Sequence, residues 1–201
     1  MKLLGKIFNR CHSYWLRFRC VWHRGWFLFT ERPRHRAIEL GQSVRFNVPV
    51  RSGGQGTLRL GYQTVFGFPL SFRFCCGEIM LQPRTPEAEI VIGHNTILNN
   101  NTVVCAVKSI RIGNNCRIGD CVSIMDADFH EINPATRDNS PGVVKAVNIG
   151  NNVWIGSRAL VLKGASIGDN SVIAAMSVVT SAIPANCVAA GIPARVIRQI
   201  E

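Results

Sequence analysis

The chain has 201 residues, 47% of them hydrophobic, a formal net charge of +11 and eight cysteines. That is enough apolar material for one cored domain with an appendage. No run of about 18 uncharged apolar residues occurs, which argues against a spanning helix, and the opening residues lack an apolar stretch with a small-residue cleavage site, so no secretory signal is predicted.

Residues 1–36 form the predicted appendage. They hold nine basic residues against one acid, Glu31, and three of the four tryptophans, Trp15, Trp22 and Trp26. Leu4, Phe8, Cys11, Trp15, Phe18, Trp22, Trp26 and Phe29 recur every three or four residues, and so do Lys6, Arg10, Arg17 and Arg24. The spacing predicts a basic amphipathic helix, weakened or bent at Gly25. Two uses fit it. Residues 1–30 could lie in a membrane interface with their cations toward anionic head groups, or pack on the rest of the molecule or a neighbouring subunit. Nucleic-acid binding is not expected, because no recognisable module accompanies the cations.

Residues 37–200 carry a repeat of six. Ile149, Ile155, Val161, Ile167, Ile173 and Val179 are spaced six apart, and Val153, Ala159, Ala165, Ser171 and Ser177 follow four residues after the first five. Ile92, Leu98 and Val104, then Ile112, Ile118 and Ile124, repeat the pattern upstream. A period of six fits neither a helix nor a lone strand. It predicts a β-helix in which three hexapeptides close a triangular coil of about eighteen residues. Aliphatic residues stack inside, small residues fill inner corners, and Asn114-Asn115, Asn151-Asn152 and Asp169-Asn170 make the turns. The twelve inward positions suffice for about four coils. Leu60-Gly61-Tyr62-Gln63-Thr64 fits the template too, so the stack is expected to begin near residue 38. Cys116, Cys121 and Cys187 read as small hydrophobes of the repeat. The cysteines lack paired C-x-x-C spacing, which points to reduced thiols in a cytoplasmic protein.

The register breaks twice. Two extra residues lie between Val104 and Ile112, and a longer loop runs from about 126 to 146. Such breaks map to outer loops that often carry function. The second opens with Met125-Asp126-Ala127-Asp128-Phe129-His130. His130 can accept and return a proton near neutral pH, and Asp126 or Asp128 could orient it. The same three side chains could instead hold a metal, or be a solvated loop. His94 reads as an exposed turn residue.

Several stretches resemble the hexapeptide-repeat O-acetyltransferases of the galactoside and maltose type. They are Asn148–Ser157 (NIGNNVWIGS), Val161–Ile173 (VLKGASIGDNSVI), Val178–Asn186 (VVTSAIPAN) and Ala190–Ile197 (AGIPARVI). The resemblance covers about residues 88–200, and the Asp-x-Asp-Phe-His run is similar to the polysaccharide-modifying branch. It implies a left-handed parallel β-helix and a homotrimer. It also implies acetyl-CoA as co-substrate, without a metal, in a groove between subunits. His130 then matches the catalytic base, and the N–H of Ser157 the oxyanion donor. Asn99, Asp128 and Trp154 fall on the acceptor side. Ser157, Ala175, Thr180, Ser181, Arg195 and Arg198 match coenzyme A contacts, with Ser181 standing where a lysine is usual. The implied reaction is acetyl transfer to a hydroxyl of a saccharide, free or lipid-linked, from a capsule, exopolysaccharide or lipopolysaccharide. A serine acetyltransferase and a non-catalytic β-helical scaffold are the alternatives. The first usually carries a larger helical domain; the second would leave His130 and Trp154 idle.

Overall fold

A computed structural model describes residues 2–68 and 76–201, with the side chains of the first helix described from residue 14 onward. Helix α1 (Lys2–Glu31) precedes a three-sided prism of short strands. Face 1 stacks Ala37–Leu40, Thr57–Leu60, Glu89–Ile92, Ser109–Ile112, Val147–Ile149, Ser166–Ile167 and Ala182–Ile183, all parallel. Face 2 stacks Arg45–Phe46, Val65–Phe66, Ile97–Leu98, Arg117–Ile118, Trp154–Ile155, Val172–Ile173 and Cys187–Gly191, and the last strand, Ala194–Gln199, returns antiparallel along it. Face 3 stacks Val50–Arg51, Ile79–Pro83, Val103–Ala106, Ser123–Met125, Leu160–Val161 and Val178–Val179.

The period of six becomes vertical registry. Ile149 pairs with Ile167, Ile155 with Ile173 and Val161 with Val179. All six aliphatic residues of that run are buried, and so are the small residues at the inner corners, from Val153 to Ser177. Seven strands stack on face 1, more than the four coils that the two strict runs supply, and the first of them, Ala37–Leu40, lies where the stack is expected to begin. The first turns lie outside the strict period because their spacing is longer. Leu40 pairs with Leu60, and Leu60 with Ile92 across an insertion.

The turns form columns of their own. Between faces 1 and 2, Ser43, Gln63, Asn95, Asn115, Asn152, Asn170 and Asn186 all have positive φ, a conformation that asparagine tolerates better than most residues. Their amides bond along the axis, from Asn152 to Asn170 at 3.0 Å and from Asn170 to Asn186 at 2.8 Å. Each turn therefore braces the next.

Helix α1 closes the N-terminal end of the prism. Phe27 is fully buried, its ring 5.3 Å from that of Phe46, which lies 5.2 Å from Phe66. Burying such a ring contributes about 1.5–3 kcal/mol. Cys20 Sγ accepts the Phe46 N–H at 3.2 Å. Just beyond the helix, His35 bonds Ser52, whose hydroxyl in turn donates to the Leu81 carbonyl. Gly25 does not interrupt the helix as its helix-weakening character suggested. It lies on the side away from the prism, with open space around it.

Candidate active site

The prism has one edge where face 2 turns into face 3 and another where face 3 turns into face 1. On the first, Asn99 follows the strand Ile97–Leu98 and donates its N–H to the Ile118 carbonyl at 2.9 Å. Its side-chain Oδ1 is buried with no hydrogen-bond partner among the described residues. Gly119 and Gly156 occupy the same column one and two turns above. A Cβ on Gly119 would stand 2.6 Å from the Ser157 nitrogen, and one on Gly156 2.4 Å from the Ala175 nitrogen. The wall above Asn99 is therefore bare backbone. Trp154, 58% exposed, stands beside it on face 2, in register with Arg117 and Ile97. These residues and Phe68 line one groove. Half-buried Ser157 and exposed Ala175 stack at the same edge, where the Ser157 carbonyl accepts the Met176 N–H at 3.0 Å. The Ser157 N–H itself donates to no acceptor among the described residues, which leaves it open to a developing negative charge.

The other edge carries the loop. Asp126, fully buried, roots it: one oxygen accepts the N–H of Val107 at 2.7 Å, and the other those of Lys108 and Ser109 at 2.8 and 2.7 Å. Val107 and Lys108 lie in the stretch where the sequence shows two extra residues, so one buried carboxylate fastens both register breaks together. The Asp128 N–H bonds the Val143 carbonyl at 3.2 Å, and the Lys145 N–H bonds the Asp126 carbonyl at 2.8 Å. Phe129 takes a positive φ of 67° and packs under the Arg84 guanidinium, 4.3 Å from the ring centre. Gly142, also at φ 67°, lies so close that a Cβ would be 2.3 Å from the His130 carbonyl oxygen.

His130 projects from this frame with 63% of its side chain exposed, and its Nδ1 is 3.2 Å from the Asp138 carboxylate. With Nδ1 facing a carboxylate, Nε2 is the nitrogen placed to take a proton. The expectation that Asp126 or Asp128 orients the imidazole is not met: Asp126 is committed to the backbone and Asp128 pairs with Lys163. Asp126 and Asp128 are therefore both engaged away from His130, and no cluster of three or more ligating side chains occurs among the described residues. Thr180 and Ser181, both exposed, follow Val178–Val179 at this same edge. Arg195 and Arg198 are exposed on the antiparallel last strand, along face 2.

The sequence-derived set thus divides. Asn99, Trp154, Ser157 and Ala175 gather at or beside one edge; His130, Asp128, Thr180 and Ser181 at the other. Face 3 lies between them, about 20 Å of extended chain for six residues. Of the thiols, Cys116 is fully buried and donates to the Gly150 carbonyl at 3.1 Å. Burial pushes its pKa up, which unsuits it as a nucleophile. Cys121 is not a core residue but a half-buried corner with φ 57°. Exposed His94 stacks on Tyr62 at 4.2 Å and accepts its N–H at 3.1 Å, which gives that turn residue a bracing part.

Sequence reasoning missed Asp138, Lys163 and the two glycines above Asn99. Gly119 and Gly156 each directly follow an aliphatic residue of the repeat, a signal that could have found them. Asp138 and Lys163 reach the loop through contacts outside the six-residue register, and no spacing announces them.

A three-sided prism with hexapeptide registry and a histidine on an excursion loop defines the hexapeptide-repeat class, with its left-handed parallel β-helix. Residues 146–181 match the bacterial transferase hexapeptide (six repeats) family. The chain is 42% identical to the galactoside O-acetyltransferase of Escherichia coli K12 over 114 residues, 57% of this chain and 56% of that protein. It is 34% identical to the putative lipopolysaccharide biosynthesis O-acetyl transferase WbbJ of the same organism over 118 residues, 55% of this chain and 60% of that one. A solved galactoside acetyltransferase in complex with coenzyme A superposes with a TM-score of 0.52 at 43% identity, covering 56% of each chain. The chain spans little more than half the length of these curated relatives.

Proposed function

We propose that this protein transfers the acetyl group of acetyl-CoA to a hydroxyl of a saccharide, at a site completed between two copies of the chain in a homotrimer. The observation that carries the reading is the division of the candidate residues between the two edges of face 3. In a three-fold assembly with face 3 toward the axis, each edge bearing Asn99 and Ser157 meets a neighbour's edge bearing His130 and Thr180. The outer surfaces of the faces agree with that packing. Face 1 displays an ion-pair row, Glu39–Arg59–Glu89–Arg111, suited to water. The outward column of face 3 is largely apolar, with Met80, Val103, Leu160 and Val178 only half-buried in one chain. The relatives named for galactoside and lipopolysaccharide acetylation support a sugar acceptor, and the coenzyme A complex supports the donor.

In this mechanism His130 Nε2 removes the acceptor hydroxyl proton as the oxygen attacks the thioester carbonyl. The Ser157 N–H of the facing copy stabilises the tetrahedral oxyanion. On collapse the carbon–sulfur bond breaks, and His130 returns the proton to the leaving thiolate. Asp138 holds Nδ1, and Asn99 presents its open amide oxygen to the acceptor beside Trp154. Ala175, Thr180, Ser181, Arg195 and Arg198 line the path for the pantetheine arm and nucleotide of coenzyme A.

Release of free thiol from acetyl-CoA, measured with a panel of saccharides, tests the reaction. His130→Ala should lower kcat by roughly 10²–10⁴ while leaving fold and coenzyme A binding intact; near-normal turnover would refute the role. Mixed assembly tests the shared site. Asn99→Ala and His130→Ala are each expected to be impaired, yet equal mixing of refolded subunits should restore about a quarter of wild-type sites, because complementary intact edges then meet. No recovery at all would place both residues in one chain's own site.

A further inference from the structure

We infer that α1 is a membrane-surface anchor that seats the prism end-on upon an anionic bilayer. This goes beyond the acetyl-transfer reading and does not rest on it. The helix has two apolar sides, and the protein uses only one. Phe27 plugs the end of the prism, with Cys20 and Glu31 on the same side. The opposite side holds Tyr14, Phe18, Val21, Trp22, Trp26 and Phe29, which at the α-helical pitch share an arc of about 140°. These six side chains are between 53% and 76% exposed. Phe18, Trp22 and Trp26 stack in sequence and Phe29 meets Trp26 at a tilt of 45°, successive centroids lying 6.3–6.4 Å apart. An aromatic ridge two turns and more in length thus stands exposed on this side, with Trp22 and Trp26 at one margin also bordering a groove shared with Pro49, Val50 and Arg51.

Charge selects the occupant. Arg17 and Arg24 are exposed along one flank of the ridge. The one acid of residues 1–36, Glu31, is only 7% exposed and faces the prism side. The outer surface of the helix therefore offers aromatic rings and guanidinium groups without a competing carboxylate. Rings that settle at the acyl boundary with cations at phosphate level suit an anionic lipid surface. A second copy of the same ridge would instead bring like charges together. No described helix is long and apolar enough to cross a bilayer, so the helix would lie in the interface plane. Asn99 and Trp154 sit two and four turns above the first coil. At ~4.8 Å per turn plus ~10 Å for the helix, their groove would stand about 20–30 Å above the lipid. That height suits an acceptor sugar extended from a lipid carrier better than a hydroxyl buried at the head-group level.

The test is co-sedimentation of the full chain with vesicles of phosphatidylcholine, with and without phosphatidylglycerol, in the absence of acetyl-CoA. Binding should require the anionic lipid and weaken as salt rises. The variant W22S/W26S/F29S should keep its circular dichroism and assembly mass, because the replaced rings are exposed, and should bind about tenfold more weakly or worse. R17E/R24E should lose binding to anionic vesicles with the rings intact. Three results would overturn the inference: no binding of the wild-type chain to anionic vesicles, equal binding by the triple variant, or a triple variant that changes assembly mass while vesicle binding stays put. The last would make the ridge a contact between copies.

Discussion

Asp126→Ala separates two roles that one carboxylate beside a candidate catalytic loop could have. The structure makes it a backbone clamp: three N–H groups, on Val107, Lys108 and Ser109, converge on it within 2.8 Å, and none of its surface reaches solvent. A hydrogen bond to a charged group contributes about 1.5–3 kcal/mol net. Three would sum to more, but the vacated turn can relax and admit water. A loss of about 3–5 kcal/mol is the reasonable expectation, as for breaking a buried charged interaction. For a chain of this size that lowers Tm by about 6–20 °C, read by differential scanning calorimetry at fixed protein concentration, since assembly also shifts Tm. Asp126→Asn should fall between, because its one oxygen can serve only one side of the clamp and its amide hydrogens confront donors on the other. Activity should drop with stability, since the loop bearing His130 is rooted here. If Asp126→Ala melts with the wild type yet loses turnover, the carboxylate acts on the chemistry and the clamp reading fails.

Phe27→Ala should cost about 3–5 kcal/mol, the range for emptying a buried aromatic site. Its signature is local, because protease cleavage between α1 and Ala37 should accelerate more than cleavage within the later coils; uniform acceleration would mean the helix is not a separate cap. His35 supplies a pH test. Burial lowers its pKa below the usual 6.5, the Glu31 backbone pulls it back up, and Arg34 lowers it further. The unfolded chain therefore binds a proton below about pH 6.5 that the folded chain refuses, so stability falls as pH drops through that value, by up to about 1.4 kcal/mol per pH unit. His35→Gln should flatten the dependence of Tm between pH 7 and 5, and an unchanged slope would show that His35 does not govern it.

How much of this was legible follows from how each feature is encoded. A strict repeat constrains every coil by the same packing rule, so Ile149 to Val179 could be read straight into stacked columns, and Asn152 and Asn170 into corners. Where coils are spaced unevenly, as from Leu40 to Leu60 to Ile92, the packing survives while the written period dissolves, and the start of the stack near residue 38 could be read only from the Leu60–Thr64 match, not from the period. The site was legible in its members more than in its arrangement. His130 announces itself by standing where the repeat fails. Its partner does not: Asp126 and Asp128 are nearest in sequence, but the regular strand ends at Met125, so no strand period fixes where their side chains go. Asp126 turns inward to the backbone and Asp128 toward Lys163, while Asp138 comes back across the loop.

The helix shows why a sequence pattern can leave open which of its sides packs on the rest of the molecule. Residues 14–29 contain one obvious apolar stripe, and the natural assumption is that this stripe packs on the prism. The contact is instead made from the other side by Phe27, a ring that falls outside the stripe and pairs with Phe46. The choice has a physical basis. The open end of a narrow prism accepts one or two inserted rings, as Phe46 and Phe66 already fill its axis, and a ridge of four aromatics is too broad to enter. A narrow plug on one side and a wide ridge on the other are therefore distinct devices on one helix. Serine at the three exposed ring positions should leave the plug seated, and alanine at the plug should leave the ridge's own chemistry unchanged. The two sets of variants should accordingly separate in their effects, the first on surface binding and the second on stability.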